Sequence, residues 1–183
     1  MKMRNLLLVI LAALTLASCG AAKKAVQKPV ETYVQPGSHL LGKKDVLRAW
    51  AVGVSDSEMT AKKKAMVSAS SQLAQMLEKV VNTTIEDYCV SLDEGEVSQS
   101  KRYLSEKTQI VSKQLLTGAV PIFDQWEPKD AEGMYRNYVV VELVGSDFIK
   151  KLVEEMNANK TVVVDEQLLN ELFMKAINKE SGK

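Results

Sequence analysis

The residues of this chain that could carry out chemistry are few, and their spacing matches no common catalytic or metal-binding pattern. The sequence contains one histidine, His39, and two cysteines, Cys19 and Cys89. Serine and cysteine nucleophiles are usually activated by a histidine that a third group holds in place, whereas His39 lies in the polar stretch QPGSH. Metal sites usually need more than one His or Cys ligand, or clustered carboxylates at set spacing. The sequence therefore predicts a protein that is not an enzyme, with no metal site and no cofactor.

Two other groups of reactive side chains favour structural roles. Carboxylates cluster at Asp93, Glu94 and Glu96, but a calcium loop alternates its oxygen ligands over about twelve residues and closes with a glutamate. This stretch lacks that pattern, so we expect a solvated turn with Asp93 near the start of a helix. The acidic neighbours of Cys89 disfavour a reactive thiolate. We expect an inert, half-buried cysteine there, the alternative being an intermolecular disulfide.

Cys19 is the residue whose surroundings indicate a defined modification. Lys2 and Arg4 precede the apolar run LLLVILAALTL, residues 6–16, and small residues follow it. A basic head, an apolar run of about 7–15 residues and a small-residue cleavage zone are typical of a secretory signal peptide. The run is shorter than the roughly 20 apolar residues that span a bilayer, so residues 1–18 are predicted to be a signal peptide.

The four residues LASC, 16–19, resemble the lipobox of bacterial lipoproteins. The resemblance implies cleavage between Ser18 and Cys19, a diacylglyceryl group on the Cys19 thiol and an acyl chain, such as palmitate, on the new amino terminus. Stable anchoring takes two membrane-binding signals, and three chains would exceed that requirement. The following residues, GAAKKAVQK, contain no aspartate and no acidic run, so the resemblance implies the periplasmic face of the outer membrane.

Composition limits the organisation and the partners of the mature chain. Removing Lys2 and Arg4 lowers the count of Lys and Arg from 24 to 22, against 23 Asp and Glu, which leaves a net charge of −1. No clustered basic stripe is present, so nucleic acid is not an expected partner. Residues 19–44 are polar with little periodicity and are predicted to be a flexible tether. Residues 45–180 are predicted to form a single domain.

The folded part is predicted to start with a strand and a long helix. The stretch RAWAVGV, residues 48–54, is apolar and precedes a turn, which favours a strand. Ser55 and Glu58 have the spacing of a capping box, and the helix is predicted over residues 57–82, with fraying over TTIEDY. Its apolar residues recur every three or four positions, and the first half of this stripe is alanine, so the helix can lie close to a sheet. The stripe consists of Ala61, Ala65, Ala69, Leu73, Leu77 and Val80.

The remaining pattern predicts further helices and a hairpin. A partly exposed helix is expected over residues 94–116. Two strands, residues 119–126 and 134–144, flank the turn-forming stretch EPKDAEG and are expected to pair as an antiparallel hairpin. In the second strand, the alternate residues that include Val139 are expected to face the core. With another helix beginning near Asp147, this order predicts an α+β fold, in which helices pack on one face of a small, mainly antiparallel sheet and a C-terminal amphipathic helix follows.

The last helix, predicted to begin near Asp165, is strongly amphipathic. Its apolar side chains must be buried against their own domain, a second copy of the chain or another protein. The first alternative makes them core, and the others make them a contact surface for an envelope protein partner or for self-association. The candidate contact residues are Leu168, Leu169, Leu172, Phe173 and Ile177.

The stretch RAWAVGVSDSEMTAKKKAMVSASSQLAQML, residues 48–77, resembles the signature of the twenty-kilodalton outer-membrane lipoprotein family of Gram-negative bacteria. The amino-terminal domain of a flagellar outer-ring protein is similar. The resemblance implies a fold and an envelope location but no activity, because the residues that carry it are packing residues. These residues are Gly53, Ala61, Ala65, Ala69, Leu73 and Ala74.

Two functions follow as hypotheses. The first is a membrane-anchored envelope lipoprotein without enzymatic activity, which binds a protein partner or supports an assembly. The second is a periplasmic lipoprotein that binds a small ligand, a lipid or a glycan. The second predicts an apolar or aromatic cavity of a few hundred cubic ångströms.

Overall fold

The computed structural model describes residues 34–158 and 162–182, which form four α-helices and a three-stranded antiparallel sheet. The elements are β1 (Val46–Ser55), α1 (Glu58–Val90), α2 (Glu94–Thr117), β2 (Pro121–Glu127), β3 (Tyr135–Val144), α3 (Gly145–Ala158) and α4 (Glu166–Glu180). The strand order is β1-β3-β2. Strands β2 and β3 pair as the predicted hairpin, with a bulge between Pro121 and Phe123. The predicted α+β class with a C-terminal helix is confirmed.

Helix α1 packs directly on the sheet because the residues between them are small. Ala61, Ala65 and Ala69 are fully buried. Facing them on β1 is Gly53, where an added Cβ would lie 1.9 Å from the carbonyl oxygen of Ala61. The alanine half of the helix therefore lies against the backbone of the sheet, as its pattern predicts.

Helix α1 is longer than its sequence pattern predicts, since it continues to Val90 rather than ending near residue 82. The stretch TTIEDY stays helical because its apolar residues are buried, and the hydroxyl of Thr84 donates to a main-chain carbonyl one turn earlier at 2.8 Å. The predicted capping box is wrong. Ser57 is the N-cap, and the Ser55 hydroxyl accepts a long hydrogen bond of 3.4 Å from its N–H.

The other helices complete the core on the same side of the sheet as α1. Helix α4 packs against α1, and α2 packs against both α1 and α3. Phe148 of α3 and Phe173 of α4 stack with ring centroids 4.6 Å apart. The hydroxyl of Tyr88, near the end of α1, accepts the N–H of Asp165 at 2.8 Å. These contacts join the last helix to the long helix and to the core.

The opposite face of the sheet, which we call the outer face, is crossed by residues 34–41, which we call the strap. The indole N–H of Trp50 donates to the carbonyl oxygen of Pro36 at 2.7 Å. The guanidinium of Arg48 donates to the carbonyl oxygen of Leu40. The sequence predicts a flexible tether that extends to residue 44. In the structure, side chains of β1 instead hold residues 34–41 on the sheet.

The strap buries residues that the sequence pattern leaves on the solvent side. Tyr138 is 4% exposed and Val140 is fully buried, although only the alternate set with Val139 was expected to face the core. Gly37 permits this close packing, because its φ of 82° suits glycine and an added Cβ would lie 2.8 Å from the ring of Phe123. Strand β3 is therefore covered by the helices on one face and by the strap on the other.

Candidate functional site

The predicted cleavage and lipidation residues, Ser18 and Cys19, lie outside the described residues. The structure therefore describes the folded domain and does not test the predicted lipid anchor. Residues 34–158 and 162–182 include no helix long and apolar enough to cross a membrane.

The residues predicted as a partner-contact surface on the last helix belong mostly to the core. Leu169, Phe173 and Ile177 are at most 2% exposed, so the partner-contact prediction is wrong for them. Leu168 and Leu172 are half-buried and also pack against the core. The amphipathic pattern of this helix is the same whether its apolar face packs in its own domain or against a partner. Periodicity indicates that a face is buried but does not identify what covers it. The predicted start of the helix is confirmed, since the carboxylate of Asp165 accepts the N–H of Leu168 at 3.0 Å.

The sole histidine packs against an aromatic ring. His39 lies on the strap and meets Phe123 edge to face, with the ring centroids 6.5 Å apart. Across the part of the chain that the structure describes, no three His, Cys, Asp or Glu side chains lie close enough to hold a metal ion. Cys89 is half-buried near the end of α1 and forms no disulfide with any described residue. In the structure, His39 contributes to the packing of the strap.

The acidic cluster after α1 has the structural position that its sequence predicts. Asp93 is the N-cap of α2, and Glu94 and Glu96 lie in the first turn. Negative side chains at this end of a helix interact favourably with the unpaired backbone N–H groups there. The cluster therefore favours the beginning of α2.

A polar cluster that sequence reasoning missed joins α1 to the hairpin. The amide Nδ2 of Asn137 donates to Asp124 Oδ1 at 2.7 Å, and the other oxygen of Asp124 pairs with the ammonium of Lys62. Burial acts to raise the pKa of Asp124, but the hydrogen bond from Asn137 and the interaction with Lys62 outweigh it, so the pKa is lowered. The three residues come from three separate elements and belong to no motif, so no local pattern points to them.

Asn137 is fully buried on the helix side of the central strand, and its Oδ1 has no hydrogen-bond partner among the described residues. The unpartnered Oδ1 carries a desolvation cost, while the hydrogen bond from Nδ2 to Asp124 links β3 to β2. Since its amide holds the carboxylate that pairs with α1, the cluster fixes the hairpin against the long helix.

A cleft between α1 and α2 is one described feature that could admit a small molecule. Its volume is about 320 Å³, at the lower end of the size of ligand pockets. Buried apolar side chains of α1 form its floor, and hydroxyl, amide and carboxylate groups form its rim. The floor consists of Leu77, Val81 and Ile85, and the rim includes Glu78, Asn82, Ser105, Gln109 and Ser112.

The residues that α2 contributes to the cleft are all polar. The hydroxyl of Thr108 is buried and donates to the main-chain carbonyl of Leu104 at 2.7 Å, so it is satisfied within its own helix. The groups free to meet a ligand are therefore on the rim. Sequence reasoning found the α1 stripe but not the cleft, because the cleft depends on how two helices are aligned.

Comparison with known proteins adds no relative: no protein-family model, no curated protein and no solved structure matches this chain. The resemblance to the twenty-kilodalton lipoproteins stays a prediction that depends on residues 48–77.

Proposed function

We propose that this chain is a membrane-anchored envelope lipoprotein of the outer membrane, whose folded domain lies on the periplasmic side and binds a protein partner or supports an assembly. The observation that carries the proposal is the sequence of residues 16–19, where Cys19 follows a basic, apolar and small-residue segment of signal-peptide type. The anchor would be lipid on Cys19, and the partner would be an envelope protein or a second copy of the chain.

The outward side of α1 supports a binding role. The domain contains a long helix of 33 residues whose outward side is solvent-exposed, with Met59 and Val67 among its exposed apolar residues. Because the apolar face of the last helix is buried in the core, surfaces such as this one are better candidates for contact than Leu169, Phe173 or Ile177. The proposed role needs no catalytic group.

Anchoring is tested by fractionating cells that produce the wild-type chain or Cys19→Ala. The proposal predicts wild-type protein in the outer-membrane fraction, and loss of the variant from that fraction, because the thiol that accepts lipid is gone. Equal amounts of both proteins in the outer-membrane fraction would contradict the proposed anchor. Cys89→Ala is the matched control and should fractionate like the wild type.

Partner binding is tested by crosslinking in intact cells, affinity purification of the tagged chain and mass spectrometry. A single recurrent envelope protein, or a crosslinked second copy, is the expected result. Recovery of the uncrosslinked chain alone would contradict the partner-binding role. A tagged Cys19→Ala chain controls for contacts made after lysis.

A second candidate function, the binding of a small amphipathic ligand, is favoured by the cleft between α1 and α2. Its volume of about 320 Å³ meets the size that this function predicts, although its rim is polar and not aromatic. The test is titration of the ¹⁵N-labelled protein with monomeric n-octyl β-D-glucoside, whose alkyl chain suits the floor and whose hydroxyls suit the rim. Saturable shifts confined to residues such as Val81, Asn82 and Gln109 would support it, and their absence would exclude this ligand class.

A further inference from the structure

The outer layer of the domain carries exposed apolar and basic side chains close together in the chain. Val34 and Leu41 of the strap are 69% and 43% exposed, and Val52, on the outer face of β1, is 36% exposed. Lys43 and Lys44 follow the strap after Gly42 and are exposed. Exposed apolar side chains and lysines on one surface favour contact with a bilayer that contains anionic lipid.

Acidic side chains on this face are already engaged with other groups. Glu142 forms an ion pair with Arg48, the residue that also holds the strap. The carboxylate of Glu127 accepts the hydroxyl of Tyr138 at 2.9 Å. Neither Lys43 nor Lys44 forms a salt bridge within the part of the chain that the structure describes. Their charge therefore stays available to an anionic surface.

The strap also determines where the chain leaves the domain toward the predicted anchor. Val34 is 15 residues after Cys19, a segment that reaches at most about 50 Å. If the strap were free, the connecting segment would run to Val46, 27 residues from Cys19, with a reach of about 90 Å. Holding the strap on β1 shortens the connection and makes it leave from the outer layer.

We propose that the outer face of the sheet, with the strap across it, is the surface of the domain that lies against the lipid bilayer, while α1 faces away from it. The inference rests on the proposed lipid anchor at Cys19. The occupant is an anionic lipid surface, which Lys43 and Lys44 attract and which Leu41 and Val52 approach at the level of the headgroups. Helix α1 then remains open to the periplasm for contact with a partner.

The test measures which side of the anchored domain approaches lipid. The full lipoprotein carrying Cys89→Ser is reconstituted in vesicles of phosphatidylethanolamine and phosphatidylglycerol, and bimane is attached at Val52→Cys or Leu41→Cys. Brominated lipids quench the probe at short range. The control is Val67→Cys on α1, which is 61% exposed and lies about 200° around the helix from the buried Ala65 and Ala69.

We expect quenching at residues 41 and 52 to exceed that at residue 67 by about twofold or more, although the control position is the more exposed. Reversing the two charges, Lys43→Glu with Lys44→Glu, should reduce this difference. Equal quenching at the three positions, or stronger quenching at residue 67, would overturn the proposed orientation.

Flotation of the vesicles separates the two proposals. Protein that floats with the vesicles but shows equal quenching keeps its anchor and contradicts only the orientation. Wild-type protein that does not float contradicts both. Circular dichroism of each labelled variant shows that it is folded, and the Leu41 position gives a second reading if Val52→Cys perturbs the strand.

Discussion

At the scale of single residues, Gly53 sets how closely α1 can approach the sheet. A Cβ at this position would lie 1.9 Å from a carbonyl oxygen of the helix, and backbone cannot move aside as a side chain can. We predict that Gly53→Ala destabilises the domain by about 1–3 kcal/mol, the usual cost of overpacking, in urea unfolding followed by circular dichroism.

Gly95 is the matched control, because it lies in the first turn of α2 and nothing would meet an added Cβ within 4 Å. Gly95→Ala should leave stability unchanged or raise it by up to about 1 kcal/mol. A Gly53→Ala protein as stable as Gly95→Ala would show that α1 does not pack as closely as the structure indicates.

Also at this scale, Asp124 should make stability depend on pH. Its pKa is lowered from 3.8 in the folded protein, with burial opposing and the partners Asn137 and Lys62 favouring the charged form. The stabilisation is therefore complete above the unfolded pKa and is lost as the pH falls through the lower folded pKa. We predict that Asp124→Asn destabilises the domain at about pH 6 and that its deficit shrinks at about pH 3.

Urea unfolding at the two pH values measures this difference. Asp130→Asn is not a suitable control, because the pKa of Asp130 is lowered too, chiefly by the hydrogen bond from the N–H of Met134. Asp87→Asn, at an exposed position near the end of α1 and away from this cluster, is the better control. A deficit for Asp124→Asn that stays constant with pH would contradict a role for its charge.

At the scale of elements, helix α4 packs in the core, so removing one of its buried side chains should lower the stability of the domain. Phe173 is 1% exposed and stacks on Phe148. We predict that Phe173→Ala destabilises the domain by about 3–5 kcal/mol, whereas Lys175→Ala, on the exposed side of the same helix, changes stability by less than about 0.5 kcal/mol. Thermal unfolding measures both changes. A loss of stability for Phe173→Ala as small as that for Lys175→Ala would contradict the burial of α4 in the core.

The strap is the second element whose attachment can be tested alone. Trp50→Phe keeps an aromatic ring but removes the N–H that donates to Pro36. We predict faster hydrogen exchange at Leu40 and Leu41, whose amides bond within the strap, with unchanged exchange in β3. Trp126→Phe, on the other face of the sheet, is the control, and equal effects of the two substitutions would contradict specific anchoring of the strap by Trp50.

At the scale of the whole molecule, the sequence predicts the features that depend on patterns within one segment, and not those that depend on contacts between distant segments. The alanine stripe of α1, the hairpin and the α+β class depend on periodicity and turn residues within single segments, and all three were predictable. The strap was not, because Pro36 and Leu40 are held by Trp50 and Arg48 through contacts that leave no local pattern. The burial of Phe173 inside its own domain was equally hidden, since an apolar stripe does not identify what covers it.

The central claim, that Cys19 is lipidated and becomes the first residue of the mature chain, is tested most directly by the intact mass of the protein extracted from membranes. The account predicts a chain beginning at Cys19 whose mass is raised by a diacylglyceryl group and one further acyl chain. A Cys19→Ala protein should lack this added mass. A membrane-extracted chain that retains residues 1–18, or that carries an unmodified Cys19, would contradict the proposed function.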